Sequence, residues 1–152
     1  LGNRSILARP DLSNTVKKIN EAVKNRDFWM PFAISILKKH HKKFISNKKS
    51  LESPHMTLGF DTIKKNLKYI VSGTHPYDGT VRPQILEKNF NINYYKLIEK
   101  FYKKTKIPAL LNTSLNLHGK PMVNNIKQAL YTLSNSKLDC LIINYKYIVK
   151  KK

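Results

Sequence analysis

The chain has 152 residues, enough for one domain with a sizeable core and short of two domains of ordinary size. An apolar share of 41%, with eight Tyr, six Phe and one Trp, excludes wholesale disorder. No apolar run approaches the ~20 residues that a membrane-spanning helix needs, so no membrane partner is expected. Lys and Arg number 29 against nine Asp and Glu, a net charge of +20 that attracts phosphate-rich partners, either nucleic acid or nucleotide. Most of these cations are Lys in scattered pairs (Lys17-Lys18, Lys38-Lys39, Lys42-Lys43, Lys48-Lys49, Lys64-Lys65, Lys103-Lys104). A compositional bias towards Lys, Asn and Ile accounts for them as well as a binding face does.

In chain order, Ile6-Leu7-Ala8 reads as a short strand closed by Pro10. Residues 11–26 read as a helix capped by Asp11 or Ser13, with Val16, Ile19, Ala22 and Val23 on one stripe. Phe28 to Leu37 reads as a strand with an irregular entry at Pro31, and Leu37 to Ile45 as a basic helical segment. Thr57 to Ile63 alternates weakly, and Leu67 to Ser72 is a further candidate strand. The stretch GTHPYDGT, Gly73 to Thr80, is turn chemistry, after which Val81 to Leu86 resumes as a strand. Asn93 to Lys104 is the clearest helix, with Tyr94, Leu97, Ile98 and Phe101 at helical spacing. IPALLN follows as a buried strand. Residues 124–135 form another helix with Ile126, Ala129, Leu130 and Leu133 on one face, and Cys140 to Val149 a final strand. Strands alternating with helices indicate one α/β domain with one main sheet.

Cys140, the single cysteine, lies in an apolar run and reads as a buried structural thiol. One cysteine cannot form an internal disulfide, and no signal-peptide pattern is visible, so the expected location is the cytoplasm. The sequence begins at Leu1 without an initiator Met, so it is either processed or part of a longer polypeptide. His40 and His41 are adjacent and point in different directions on a helix, which suits a solvated face. His55, His75 and His118 have no metal-ligand spacing, and the five Gly include no P-loop, so no metal site and no protein nucleophile is expected.

Four polar clusters lie at the edges of apolar runs: Gly2-Asn3-Arg4-Ser5, Lys24-Asn25-Arg26, His75 to Arg82, and Asn112 to Gly119. Ligands of open α/β sheets bind beyond the strand ends. Gly-turn amides, Ser and Thr hydroxyls and Arg forks are the groups a phosphate or carboxylate needs. The residues together therefore suggest an anion or nucleotide site with converging Arg and Lys, although each cluster taken alone reads first as a capped turn with a surface cation. Asp78, in the YDGT turn, suits an Asx-turn.

Four stretches in this order, LGNRSILA, VKNRDFWMPFA, HPYDGTVRPQ and LLNTSLNLHGKPMV, together with the ending LDCLIINYKYIVKK, resemble the C-terminal region of the NodU-type O-carbamoyltransferases over essentially the whole chain. The resemblance implies an α/β fold: a single YrdC-like domain, residues 1–152, with a twisted mixed sheet flanked by helices. It implies a domain that forms carbamoyl-adenylate from carbamoyl phosphate and ATP, with Mg accompanying the nucleotide. An N-terminal ASKHA-type transferase domain, absent from this chain, would then pass the carbamoyl group to an acceptor hydroxyl. The YrdC-like KxR and SxN patterns fall on Lys24, Arg26, Ser114 and Asn116. Arg4 and Arg82 match motif arginines expected to grip carbamoyl phosphate or the ATP phosphates. His75, Asp78, Thr80, Asn112 and Thr113 lie in the same motifs as possible site turns. No residue is expected to act as a nucleophile, because positioning and cationic stabilisation are most of what nucleotidyl transfer requires.

The chain departs from the family pattern at Met30, where an arginine is expected to contact phosphate, and at Arg9, Leu115 and Lys120. Arg9 or Lys120 could supply a substitute charge. Two other readings stay open from the sequence: a basic RNA-binding module of the same fold, and a non-catalytic domain that supports the transferase.

Overall fold

Ala109–Leu111 is wholly apolar and Ala33–Leu37 is broken only by the small Ser35, the pattern of strands covered on both faces. The computed structural model, which describes residues 1–27 and 30–151, has this architecture. In chain order the elements are β1 (Ser5–Ala8), α1 (Thr15–Ile19), β2 (Ala33–Leu37), β3 (Phe60–Asp61), β4 (Thr80–Val81), β5 (Pro83–Leu86), α2 (Ile92–Thr105), β6 (Ala109–Ser114), α3 (Ile126–Ser134), β7 (Cys140–Ile143) and β8 (Tyr147–Lys150). The fold class is mixed α/β, in one domain. The main sheet runs β1-β6-β2-β5; β6 is antiparallel to both neighbours and β2 is parallel to β5. β3 with β4 and β7 with β8 form two small antiparallel ribbons.

Alternate residues of each central strand serve opposite faces. Leu37, Leu86 and Leu110 pack under Tyr94 and Ile98 of α2. On the other face Ile6 and Leu111 meet Ile19 and Val23, with Leu133 of α3 and Leu141 of β7. Ile34, Ile36, Ile85 and Ala109 meet Phe60, Ile70 and Val81 beneath the β3–β4 ribbon. Each such side chain, fully buried, contributes about 1.5–3 kcal/mol. α2 starts at Asn91, whose side chain accepts a hydrogen bond from the Tyr94 amide, and ends at Lys106 with φ 63°.

Several elements differ from the sequence reading. Leu67 to Ser72 is not a strand: two 3₁₀ segments, Lys64–Tyr69 and Val71–Gly73, occupy it. Its β-branched residues are used locally, because Gly73 lies against β2 so closely that a Cβ would fall 2.3 Å from Ile34. Cys140 to Val149 is a hairpin rather than one strand, since Asn144 and Tyr145 take φ of 50° and 58° and reverse the chain. Cys140 is exposed there, on an edge of the two-stranded ribbon, not buried. Val81 to Leu86 divides at Arg82, with β4 in the small ribbon and β5 in the main sheet. The first helix starts after Asn14 with no side-chain cap, because Asp11 is held instead by Arg9 at 3.1 and 2.7 Å. Phe28 and Trp29, at the expected entry of β2, lie outside the described residues. Lys38–Lys43 is a 3₁₀ segment in which His41 is buried and its Nδ1 contacts the Lys38 carbonyl; His40 stacks on Tyr102 at 4.3 Å, so neither is simply solvated.

Candidate functional site

The first helix widens at its end. Over Asn20–Lys24 it becomes a π turn, closed by the Asn25 amide donating to the Asn20 carbonyl at 2.9 Å, and it stops at Asn25 with φ 44°. Such turns hold one extra residue and recur at functional sites. Two loops fasten this end: the His118 amide donates to Val23 O at 3.0 Å and the Lys137 amide to Ala22 O at 3.2 Å. Lys24, the last π-helical residue, is thereby driven inward and is only 2% exposed.

Its ammonium group donates to Ser114 Oγ at 3.0 Å and to Asn116 Oδ1 at 2.7 Å. Ser114 Oγ donates in turn to Asn116 Oδ1 at 2.6 Å. Asn116 is itself anchored, its Nδ2 donating to the carbonyls of Leu117 at 3.0 Å and Lys120 at 2.7 Å. So the KxR and SxN segments, some ninety residues apart in sequence, meet through direct hydrogen bonds.

No carboxylate accompanies Lys24 among the ion pairs of the described residues. Burial, with Arg26 adding its repulsion, pushes the Lys24 pKa down from 10.5 to about 8. The Arg26 pKa is also lowered, first by burial and then by the charge of Arg82. The Arg26 guanidinium lies 5.1 Å from the centre of the Phe32 ring. Three cations thus share one neighbourhood, and among the described residues no carboxylate forms an ion pair with any of them. A buried charge without a counter-ion is costly, and a bound anion would relieve it.

Arg82 stands where the chain crosses from the small ribbon to the main sheet, and it is exposed. With Met30, Pro31, Phe32, Gly73, His75 and Thr80 it lines a cleft of about 230 Å³. The turn beside it is closed by the His75 amide on Thr80 O at 2.7 Å and the Gly79 amide on His75 O at 3.1 Å. Asp78 Oδ1 accepts from the Thr80 amide and from Thr80 Oγ1, both at 2.8 Å, which holds the carboxylate below its usual range. A wider, open hollow of about 700 Å³ at Asn3 and Lys88 to Ile92 shares none of these residues and gathers no set of cations.

Other candidates go elsewhere. Arg4 is exposed; its carbonyl accepts from the Leu115 amide at 2.9 Å, and its Nη1 donates to Val123 O at 3.2 Å. It borders the loop that carries Asn116 and, among the described residues, shares no hydrogen bond with Lys24. Asn112 belongs to the core: its Nδ2 donates to Ser35 Oγ at 3.0 Å and to Tyr94 OH at 3.2 Å, and Ser35 donates to Gln84 at 2.7 Å. Thr113 is buried in β6 opposite Ile6. Arg9, bound to Asp11, has its charge engaged and does not replace the arginine absent at Met30. Lys120 reaches Asn116 through its backbone carbonyl. The sequence did not single out Phe32 or Gly73; a glycine just before the turn cluster and an aromatic just after Met30-Pro31 were the available signals. Among the described residues no group of three or more His, Cys, Asp or Glu comes together to hold a metal, and no helix is long and apolar enough to cross a membrane.

A family model described as "Carbamoyltransferase C-terminus" matches residues 1–151. An uncharacterized protein of Methanocaldococcus jannaschii is 38% identical over 152 residues, covering 100% of this chain and 24% of that protein. Nodulation protein NolNO of Sinorhizobium fredii is 36% identical over 153 residues, covering 100% of this chain and 22% of that protein. The 3'-hydroxymethylcephem-O-carbamoyltransferase of Amycolatopsis lactamdurans is 29% identical over 148 residues, covering 93% of this chain and 26% of that protein. The chain therefore spans about a quarter of the length of these relatives.

Proposed function

The chain belongs to the carbamoyltransferase C-terminal family, and on that premise we propose that it is the carbamoyl-activating domain of an O-carbamoyltransferase. It binds carbamoyl phosphate and ATP and forms carbamoyl-adenylate, which a transferase domain N-terminal to it in the full-length protein delivers to an acceptor hydroxyl. The observation that carries this reading is Lys24: a cation 2% exposed, bonded only to neutral Ser114 and Asn116, beside Arg26 and Arg82. Such an arrangement is electrostatically incomplete until an anion enters.

The chemistry suits these groups. A carbamate oxygen attacks the α-phosphorus of ATP, the P–O bond to the β-phosphate breaks, and pyrophosphate leaves. Negative charge builds on the phosphoryl oxygens as this occurs. Lys24 and Arg26 are preorganised to meet it, and preorganised charge in a water-poor site is the largest single contribution to such catalysis. Ser114 and Asn116 hold the Lys24 ammonium in place and have hydrogen-bonding capacity for the nucleotide or carbamoyl group. Arg82, exposed on the cleft wall, is a second grip for phosphate. With few acids nearby, Mg²⁺ would be carried on the nucleotide phosphates rather than in a protein cage.

Pyrophosphate release by the full-length protein tests the reading. Release that requires both ATP and carbamoyl phosphate, and that falls at least about 100-fold in Lys24→Met, is expected, since several charge-assisted contacts of about 1.5–3 kcal/mol are lost together. ATP binding with no carbamoyl phosphate-dependent release would sink it.

A further inference from the structure

Activation as proposed needs carbamate, whereas carbamoyl phosphate carries its carbonyl carbon on a phosphate oxygen. That linkage must be cut by water before a carbamate oxygen can attack ATP. The Arg26 and Arg82 guanidinium groups can hold phosphate but cannot take a proton from water, and the Lys24 nitrogen is turned to Ser114 and Asn116. A group that can stands on the wall of the Arg82 cleft. His75 lines that cleft together with Thr80 and Arg82. Its Nδ1 lies 3.2 Å from Asp78 Oδ1. The Asp78 amide faces the same nitrogen from farther off, at 3.5 Å, and the shorter carboxylate contact favours the tautomer that carries its proton on Nδ1 and leaves Nε2 to accept.

The carboxylate is fixed independently of the histidine. Thr80 supplies two hydrogen bonds to Asp78 Oδ1 at 2.8 Å each, from its amide and its hydroxyl. The turn is tied in turn to the small ribbon, because Thr62 Oγ1 donates to the Gly79 carbonyl at 2.7 Å and Gly79 takes φ 70°. Tyr77 packs beside the imidazole at 5.8 Å. Among the described residues every other acid that forms an ion pair is paired with Lys or Arg; Asp78 is paired with an imidazole. A base oriented by a carboxylate, next to an arginine in a cleft, has the parts of a water-activating dyad.

We propose that His75, oriented by Asp78, is the general base that hydrolyses carbamoyl phosphate in the Arg82 cleft. His75 Nε2 takes a proton from water, the water oxygen bonds to the carbonyl carbon, and the C–O bond to phosphorus breaks. Its electron pair leaves with phosphate, held by Arg82, and the products are carbamate and inorganic phosphate. The step rests on the activation reading above and adds to it a separate half-reaction with its own residues.

A bypass separates the two. Carbamate is supplied to the full-length protein as ammonium carbamate, with Mg²⁺ and ATP, and pyrophosphate is measured against the same assay run on carbamoyl phosphate. In His75→Ala and in His75→Gln, which keeps the turn filled, carbamoyl phosphate-dependent release falls about 100-fold or more, the usual worth of a general base, while carbamate-dependent release stays within about twofold of wild type. Asp78→Asn shows the same asymmetry, smaller. Equal loss on both substrates, or no loss on carbamoyl phosphate, overturns the dyad and leaves the activation reading standing. Wild-type protein silent on both substrates overturns the activation reading and the dyad with it.

Discussion

Asn112 and Ser114 stand two residues apart on β6, and their surroundings could hardly differ more. Asn112 joins Ser35, Gln84 and Tyr94 in a buried network whose donors and acceptors are all neutral and answer one another. Burial pushes the Tyr94 hydroxyl further towards its neutral form. Ser114 instead supports a buried ammonium group that, among the described residues, forms no ion pair with a carboxylate. The first cluster is complete as it stands and stabilises the sheet under α2. The second holds a buried charge that its hydrogen-bond partners do not balance, as the proposed anion site requires. Polar residues at a strand end can therefore be structural or functional within a single turn of chain, and the balance of charge tells them apart.

The sharpest way to break this contrast is pH. Below about pH 8 the folded protein must keep Lys24 charged in its buried site, whereas the unfolded chain holds that proton up to 10.5. Between those values the unfolded state binds more protons, so stability rises with pH, by about 3 kcal/mol in all if the whole shift is expressed. Urea unfolding of wild type and Lys24→Met over this range isolates the effect from the other lysines. The mutant is expected to be the more stable at neutral pH, with the gap closing as pH rises; parallel curves would show that Lys24 is already neutralised within the protein. Pyrophosphate at saturation should flatten the wild-type slope, because a bound anion restores the ordinary pKa.

Next in size is Asn112→Ala. It leaves the Ser35 and Tyr94 hydroxyls short of a partner, and costs about 1–3 kcal/mol in urea unfolding. Nucleotide affinity of the folded protein should not change, measured by calorimetry; a matching loss of affinity would mean that the two clusters are one. The smallest effect belongs to Arg82→Ala. The side chain is exposed and makes no hydrogen bond or ion pair among the described residues, so stability should stay within about 0.5 kcal/mol while affinity for carbamoyl phosphate weakens.

Much of the sheet is readable from the sequence, because strands covered on both faces are continuous apolar runs and α2 repeats Tyr94, Ile98 and Phe101 at helical spacing. The segment Leu67 to Ser72 misleads for a physical reason: its apolar residues look like a strand, but its hydrogen bonds close locally and Gly73 is consumed in packing on Ile34. The hairpin at Asn144-Tyr145 carries no Gly, so its reversal leaves little trace in composition. Within the candidate site, the resemblance marked Lys24, Arg26, Ser114 and Asn116, and the structure joins Lys24 to Ser114 and Asn116 while Arg26 lies by Phe32. The separation of Asn112 from Ser114 was not, since both are short polar residues in one row and only the burial of their partners divides them. The fate of Arg9 was equally hidden, because its partner Asp11 is two residues away and reads first as a helix cap.

The π turn has a consequence for how such a protein changes over generations. It places Lys24 by holding one residue more than an α-helical turn, with Asn25 bonded five residues back to Asn20. Loss of a single codon between residues 20 and 23 would close the segment as an ordinary α-helical turn, four residues instead of five, with Asn25 still bonded to Asn20 and Lys24 still turned towards Ser114 and Asn116. The direction of the lysine is thus tolerant of one deletion in the turn that carries it. A descendant that had shed the reaction would be recognised by the residue at position 24 rather than by the length of this turn.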